Sequence, residues 1–280
     1  MRKKISMSLI NTTKKLGIYS ALRDAYHKRI AYYSLKPKWN LIERIVSIKF
    51  KKIKLKFKLT DEQTSCYSRP IWKCEPLCFL KNELKGYLQN CSKKNKSGIV
   101  IDVGSYQGAL PVYLRKIEKN KKRIICFEPI KENSQVLKEN LKLNNIENVT
   151  IIKKGLWNKK DLLLFDAQGE ASAISNKGKI KLCVTDLDSE LKRLKINPKE
   201  VSLVKMDIEG AEIETIDGMK NLLKVGNPFL AIASYHWRNG EQTYKGVEKK
   251  LKKFGYNVKT GYPKHLTTWA WKEKAKYKKI

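Results

Sequence analysis

The chain has 280 residues, which suffice for one large domain or for a domain with an extension. Hydrophobic residues make up 41% of it, an ordinary share for a globular protein, and no run of 18 apolar residues predicts a membrane-spanning helix. The formal net charge is +33, which either attracts a polyanion or reflects a lysine-rich composition, since only nine of the 60 basic residues are Arg.

Residues 1–95 are predicted to form a basic N-terminal extension. Over residues 1–45, apolar residues recur among the lysines at intervals of three or four residues, which is typical of an amphipathic helix. From Ile53 apolar residues and lysines alternate as in a strand, and residues 80–88 are predicted to be helical. The polar run 92–98 marks the predicted boundary. This extension is the expected site of acceptor contacts, and its basic helix could also lie on an anionic membrane surface.

The six cysteines show no C-x-x-C pair. Cys66, Cys74, Cys78 and Cys91 cluster in sequence, but their spacing argues against a zinc site. Cys126 and Cys183 lie in apolar runs and are expected to be buried. No cleavable signal peptide is recognisable, so we expect a reducing, cytoplasmic location, with the inner face of the membrane as an alternative.

Residues 96–280 alternate between strand and helix patterns. Strands are expected at 99–103, 123–128, 149–153, 201–207 and 228–235, helices at 109–117, 132–143, 188–194, 211–223 and 244–254, a hairpin at 161–166 and 180–184, and a terminal strand pair at 255–260 and 266–271. This order predicts an α/β fold of the Rossmann-like methyltransferase type. It has a mostly parallel seven-stranded sheet, helices on both faces and an antiparallel C-terminal strand pair.

The first strand ends in a glycine turn that argues against nucleotide cofactors. Residues 102–108 read D-V-G-S-Y-Q-G, so Tyr106 stands where a dinucleotide fingerprint needs glycine. No G-x-x-x-x-G-K motif is present, which disfavours a nucleoside triphosphate. Asp102 would repel a pyrophosphate, but it suits a cofactor that carries an ammonium and a sulfonium. Gly104 and Gly108 permit the turn.

A second acid ends the next predicted strand. Glu128, followed by Pro129, could accept both hydroxyls of a ribose, as acidic residues do in dinucleotide sites. Because carboxyl ends of parallel strands meet at one edge of a sheet, Asp102 and Glu128 should line one crevice. Together they favour S-adenosylmethionine as the cofactor.

The candidate catalytic residues follow the fourth and fifth predicted parallel strands. Residues 205–212 read K-M-D-I-E-G-A-E, which places Asp207 and Glu209 at a strand end. Asp207, Glu209 and His236 are the candidates for a general base, and Lys205 could pair with a carboxylate or orient the acceptor. No convincing set of metal ligands accompanies Asp207, so no metal is expected.

At these motifs the sequence resembles the FkbM-type methyltransferases. The D-V-G turn, the F-E-P motif at 127–129, the pair at 187–188 and K-x-D-I-E-G-x-E occur in the family's order and spacing over about residues 97–235. The resemblance implies S-adenosylmethionine as the methyl donor and typically a hydroxyl acceptor on a sugar, lipid or secondary metabolite. Ser105-Tyr106 replaces a pair that is commonly Ala-Asn, and Ser234 replaces the acid of the family's E-x-H.

Two other functions compete with O-methylation. A nucleic-acid methyltransferase would suit the charge, but the chain lacks both the D/N-P-P-Y/F turn of amino methylation and the Pro-Cys nucleophile of cytosine chemistry. A non-catalytic protein that binds polyanions or membrane surfaces would use the basic N-terminus. The sequence does not fix the acceptor or the oligomeric state.

Overall fold

The computed structural model describes residues 38–40, 43–58, 75–92, 95, 97–166, 173–174, 180–238, 240–262 and 265–272. The chain divides into two compact units, residues 1–82 and 83–280. The predicted boundary at residue 95 stays a prediction. Among the residues described, no helix has both the length and the apolar character needed to cross a bilayer.

The N-terminal unit contains a three-stranded antiparallel sheet of β1 (Lys38–Asn40), β2 (Ile45–Phe50) and β3 (Ile53–Lys58). Strand β3 confirms the alternation from Ile53, but β1 shows that the helix predicted to reach residue 45 is wrong at its end. The sequence missed β2 because its turn is Lys51-Lys52, with φ of 44° and 68°, instead of Gly or Asn. Most of that helix, with Cys66 and Cys74, lies outside the described residues.

The helix predicted at 80–88 is the later part of a longer helical region, which consists of three short stretches. They are α1 (Glu75–Cys78), a π-helical turn (Phe79–Glu83) and α2 (Leu84–Leu88). Helix α2 belongs to the larger unit, where Gly86 O accepts a hydrogen bond of 2.8 Å from the indole of Trp269. The helix therefore packs against the C-terminal strands of that unit.

The larger unit is built on the seven-stranded sheet that the sequence predicts. Its strand order is β15-β16-β12-β11-β4-β5-β6, with five parallel strands and an antiparallel pair, β15 and β16, at one edge. The strands are β4 (Ile99–Val103), β5 (Ile124–Phe127), β6 (Val149–Ile152), β11 (Val201–Met206), β12 (Phe229–Ala233), β15 (Asn257–Gly261) and β16 (Thr267–Trp271).

The helices of this unit pack their apolar faces on the sheet. They are α3 (Ala109–Lys116), α4 (Lys131–Leu143), α5 (Leu187–Arg193), α6 (Glu212–Asp217) and α7 (Tyr244–Lys253), with a 3₁₀ turn (Pro198–Glu200) and a π-helical turn (Leu222–Gly226). The helix predicted over 211–223 is therefore too long. A side chain at Gly218 would lie 2.1 Å from the carbonyl oxygen of Trp157, and the chain turns there.

A second sheet confirms the predicted hairpin. Strands β8 (Asp161–Asp166) and β10 (Ile180–Thr185) pair antiparallel, with β7 (Gly155–Leu156) and β9 (Ala173–Ile174) beside them. A further short pair is β13 (Trp237–Arg238) and β14 (Glu241–Gln242). Cys126 is buried as predicted, but Cys183 is exposed, because it lies on the outward face of β10.

Gly104 should be far less tolerant of alanine than Gly255, although both have positive φ. A Cβ at Gly104 would lie 1.8 Å from the carbonyl oxygen of Asp207, whereas nothing lies within 4 Å of one at Gly255. We expect Gly104→Ala to lower the free energy of unfolding by more than about 3 kcal/mol, and Gly255→Ala by about 1 kcal/mol, in urea denaturation. Equal losses would contradict the close approach of the two strand ends.

Candidate active site

A buried ion pair joins the two central strands at the edge of the site. Asp102 on β4 stands opposite Lys205 on β11, and the ammonium lies 3.3 Å from Oδ1 of Asp102. The ammonium also donates a hydrogen bond of 2.6 Å to Gly104 O. Burial alone would lower the pKa of Lys205, but the charge of Asp102 raises it. Burial raises the pKa of Asp102, although an ammonium at this distance favours its ionised form. Lys205 thus pairs with a carboxylate, as predicted, and that carboxylate is Asp102.

The glycine turn begins two residues after Asp102. Gly104, Tyr106 and Gly108 all have positive φ, of 71°, 46° and 80°. Tyr106 is 39% exposed, so its ring stands beside the turn instead of in the core. The turn lies at the carboxyl end of β4, and ligands of open α/β sheets bind beyond such strand ends.

Glu128 is tied to that turn. Its carboxylate accepts hydrogen bonds from the backbone N–H groups of Tyr106, at 2.8 Å, and Ile130, at 3.0 Å. Pro129 separates Glu128 from Ile130 in the sequence. Burial raises the pKa of Glu128 to about 7, although these hydrogen bonds act to lower it. The side chain of Asn133 also donates to this carboxylate. Because a carboxylate has about four acceptor positions, at least one remains for a ligand.

Asp207 follows β11 and lies at the centre of a polar cluster. Its Oδ2 accepts a hydrogen bond of 2.7 Å from the hydroxyl of Tyr87 and lies 3.7 Å from Nε2 of His265. Its Oδ1 lies 3.4 Å from Nε2 of His236. Burial alone would raise the pKa of Asp207, but the two imidazoles hold it well below its usual range.

His236 lies among three carboxylates. Its Nδ1 is 3.0 Å from Oε1 of Glu212, and its Nε2 is 3.4 Å from both Asp207 and Oε2 of Glu209. Burial would lower the pKa of His236, but the charge of Glu212 and the contact with Asp207 raise it to about 11. The imidazole is therefore protonated at neutral pH.

The turn between β11 and α6 positions these acids. Glu209 and Gly210 have φ of 54° and 95°, and Oε1 of Glu212 accepts the backbone N–H groups of Ile208 and Gly210, each at 3.2 Å. Arg238 holds the same turn by a hydrogen bond of 2.9 Å to Gly210 O. The side chain of Glu209 remains 45% exposed at the mouth of the cluster. Burial of the rest, with the charge of Asp207, raises its pKa to about 7.

The structure brings together all ten predicted site residues at the carboxyl ends of β4, β5, β11 and β12. It adds Tyr87 and His265, whose hydroxyl and Nε2 are 3.1 Å apart, and Tyr235, whose ring lies between those of His236 and His265. No motif marks Tyr87 or His265. Only their aromatic and imidazole character in otherwise unassigned segments could have drawn attention to them.

Two overlapping groups of side chains place potential metal ligands close together. They are Asp207 with Glu212 and His236, and Asp207 with Glu83 and His265. In the first group the imidazole already contacts both carboxylates, and in the second the Tyr87 hydroxyl contacts both Asp207 and His265. The predicted lack of a metal stays a prediction.

The cluster is separate from a cleft of about 420 Å³ at the other end of the strands. That cleft contains Phe229, which begins β12, whereas Asp207 follows the end of β11. Its lining is Asn90, Asn95, Asn227, Phe229, Lys259, Trp271 and Lys272. Because ligands of open α/β sheets bind beyond the carboxyl ends of the strands, the chemistry belongs to the Asp207 side.

Buried carboxylate oxygens show what kind of cofactor fits this crevice. Both carboxylate oxygens of Asp102, Oδ1 of Asp207 and Oε2 of Glu212 are buried and accept no well-formed hydrogen bond from the described residues. Lys205 and His236 lie 3.3 Å and 3.4 Å from Oδ1 of Asp102 and Oδ1 of Asp207, respectively. Such atoms favour a ligand with cationic or hydrogen-bond-donating groups and disfavour phosphate. An ammonium, a sulfonium and ribose hydroxyls meet this requirement.

The profile of the Methyltransferase FkbM domain matches residues 102–258, which is more than half of the chain. The chain belongs to the FkbM methyltransferase family. The resemblance seen in the sequence is confirmed, and S-adenosylmethionine is the cofactor of this family. The match begins at Asp102 and includes His236, but it leaves Tyr87 and His265 outside.

A solved methyltransferase structure shares the fold, and two others show weaker similarity. The methyltransferase FkbM from Methylobacillus flagellatus KT is 18% identical with a TM-score of 0.52, over 76% of this chain and 56% of that protein. The chain thus spans little more than half of that protein's length. Fibrillarin from Aeropyrum pernix, with bound S-adenosyl-L-methionine, is 10% identical (TM-score 0.46, covering 81% and 94%). A SAM-dependent methyltransferase from Aquifex aeolicus is 17% identical (TM-score 0.40, covering 65% and 86%). No curated protein matches the chain.

Removing the hydroxyl of Tyr87 should destabilise the protein more than removing that of Tyr256. Tyr87→Phe leaves Oδ2 of Asp207 without its 2.7 Å donor, and an unsatisfied buried acceptor costs about 1–3 kcal/mol. The hydroxyl of Tyr256 is buried and has no hydrogen-bond partner among the described residues, so Tyr256→Phe should cost almost nothing. Urea denaturation measures both. A loss no larger for Tyr87→Phe would show that its contact with Asp207 is not stabilising.

Proposed function

We propose that the protein transfers a methyl group from S-adenosylmethionine to a hydroxyl group of a sugar, lipid or small metabolite. The observation that carries the proposal is the half-exposed carboxylate of Glu209, which lies 3.4 Å from the buried imidazole of His236. This arrangement offers a base at the mouth of the crevice. A base is what an alcohol needs when it attacks a methyl group.

The glycine turn and Glu128 are the proposed donor-binding elements. Gly104 and Gly108 allow the backbone of the turn to approach the cofactor, and the remaining acceptor capacity of Glu128 suits the ribose hydroxyls. Tyr106 and Pro129 flank this carboxylate. When bound, S-adenosylmethionine supplies a methyl group already activated by its sulfonium. The chain's own task is then alignment and removal of one proton.

Glu209 is the best general base among the three candidates. His236 already carries its proton at neutral pH, because its pKa is raised to about 11. Asp207 is a weak base, because its pKa is held well below the usual range. Glu209 has a pKa of about 7 and an exposed side chain, so it can take the hydroxyl proton as the acceptor attacks. Asp207 and His236 serve to position it.

The donor site is tested by the thermal shift that S-adenosylmethionine produces. Binding to the folded state raises the melting temperature, and Glu128→Gln should reduce that shift because the amide accepts fewer hydrogen bonds from the ribose. Glu132→Gln is the matched control, since Glu132 is an exposed residue of α4. No shift in the parent protein would overturn the proposed activity, and equal shifts in both variants would overturn the role of Glu128.

The reaction is tested with donor labelled in its methyl group and separate glycan, lipid and RNA fractions as acceptors. We expect label in the glycan or lipid fraction, and a rate that rises with pH through about 7 as Glu209 loses its proton. Glu209→Gln should lower kcat about 100-fold or more and remove this pH dependence. Glu241→Gln, an exposed control, should change neither. Label in RNA alone would contradict the acceptor class, and an unchanged pH profile in Glu209→Gln would contradict the base.

A further inference from the structure

The cluster around His236 contains more negative charge than it can balance. Asp207, Glu209 and Glu212 all lie within 3.4 Å of this one imidazole. With every group ionised, the imidazolium balances one of the three carboxylates and two charges remain. Burial, followed by the charge of Asp207, raises the pKa of Glu209, as this excess requires.

Three other basic side chains lie near the cluster. His265 is 3.7 Å from Oδ2 of Asp207 and also contacts the Tyr87 hydroxyl, and the other two are engaged elsewhere. Lys205 is in contact with Asp102 at 3.3 Å and with Gly104 O. Arg238 forms an ion pair of 2.6 Å with Glu214. Among the described side chains, neither of these cations contacts the three carboxylates around His236, although the whole chain carries +33.

Burial keeps this charge from being screened. The side chain of Glu212 is fully buried and that of Asp207 is 18% exposed. Coulomb interactions are several times stronger in such a setting than in water, and salt weakens them less. Oε2 of Glu212 also accepts no hydrogen bond from the described residues, so this oxygen remains available to a ligand.

The cluster adjoins the donor turn. The backbone N–H of Asp207 donates to Val103 O at 3.0 Å, and Gly104 lies so close to Asp207 O that no Cβ would fit. A ligand that occupies the glycine turn therefore lies beside the unbalanced carboxylates. Their field acts on any charge at that end of the ligand.

We propose that the carboxylates around His236 select the charged methyl donor over its neutral product. This inference rests on the proposed function. The donor carries a positive sulfonium, whereas S-adenosylhomocysteine carries an uncharged thioether and is otherwise identical. The same cluster that holds the base would thus bind the donor and favour departure of the product after each turnover.

Isothermal titration calorimetry with S-adenosylmethionine and S-adenosylhomocysteine tests the proposal without an acceptor. The parent protein should bind the donor about tenfold or more tightly than the product, a ratio expected for one unbalanced charge in a partly buried site. Glu209→Gln should weaken donor binding severalfold and leave product binding unchanged. Glu241→Gln, a change of equal charge on an exposed side chain, should preserve the ratio.

The outcomes separate the two proposals. Equal binding of both ligands to the parent, or an unchanged ratio in Glu209→Gln, overturns the charge selection and leaves methyl transfer standing. Binding of neither ligand overturns the proposed function itself. The titrations are repeated with EDTA and with millimolar MnCl₂. A donor preference that Mn²⁺ abolishes would identify a metal ion as the balancing charge and would also overturn the selection.

Discussion

The site depends on a buried ion pair between the two central strands. Asp102 and Lys205 face each other across β4 and β11 at the point where both strands end. Burying two charges costs free energy of desolvation unless the charges contact each other. Removing one partner leaves the other as an uncompensated buried charge. The pair therefore fixes the register of the strand ends. Lys205 carries this constraint into the turn by its bond to Gly104 O.

The polar cluster beyond β11 is arranged around Asp207, which follows Lys205 by two residues. Three separate segments meet at its carboxylate: α2 through Tyr87, the end of β12 through His236, and the residue His265 before β16. Because both oxygens have neighbours, Asp207 is held in place and in its charged form. It thereby orders the cluster but makes a poor base, which is why we propose the more exposed Glu209 as the group that takes the proton.

The same contacts give the site a charge opposite to that of the whole chain. Lysines dominate the composition, yet carboxylates outnumber cations where β11 and β12 end. Net charge concerns solubility and long-range attraction, whereas a buried cluster acts at short range with little screening. The surface charge therefore does not predict the charge of the ligand that the crevice accepts.

The parts of the structure that repeat locally were predictable, and the parts built from distant contacts were not. The pattern of apolar strands predicted the sheet correctly, and the acids Asp102, Glu128 and Asp207 do lie at its carboxyl edge, since periodicity and strand ends are local signals. The hydrogen bond from Tyr87 to Asp207 joins residues 120 positions apart, and no sequence pattern predicts it. The end of α6 near Gly218 was missed as well, and the Trp157 backbone that approaches Gly218 is also distant in sequence.

A crystal structure with S-adenosylmethionine bound tests the central claim most directly. The claim is that the strand-end carboxylates form the methyl-donor crevice. We predict ribose hydroxyls within about 3.2 Å of the Glu128 carboxylate, and the sulfonium on the side of Asp207 and Glu209. A donor bound in the cleft beside Phe229, or one whose ribose does not contact Glu128, would contradict it.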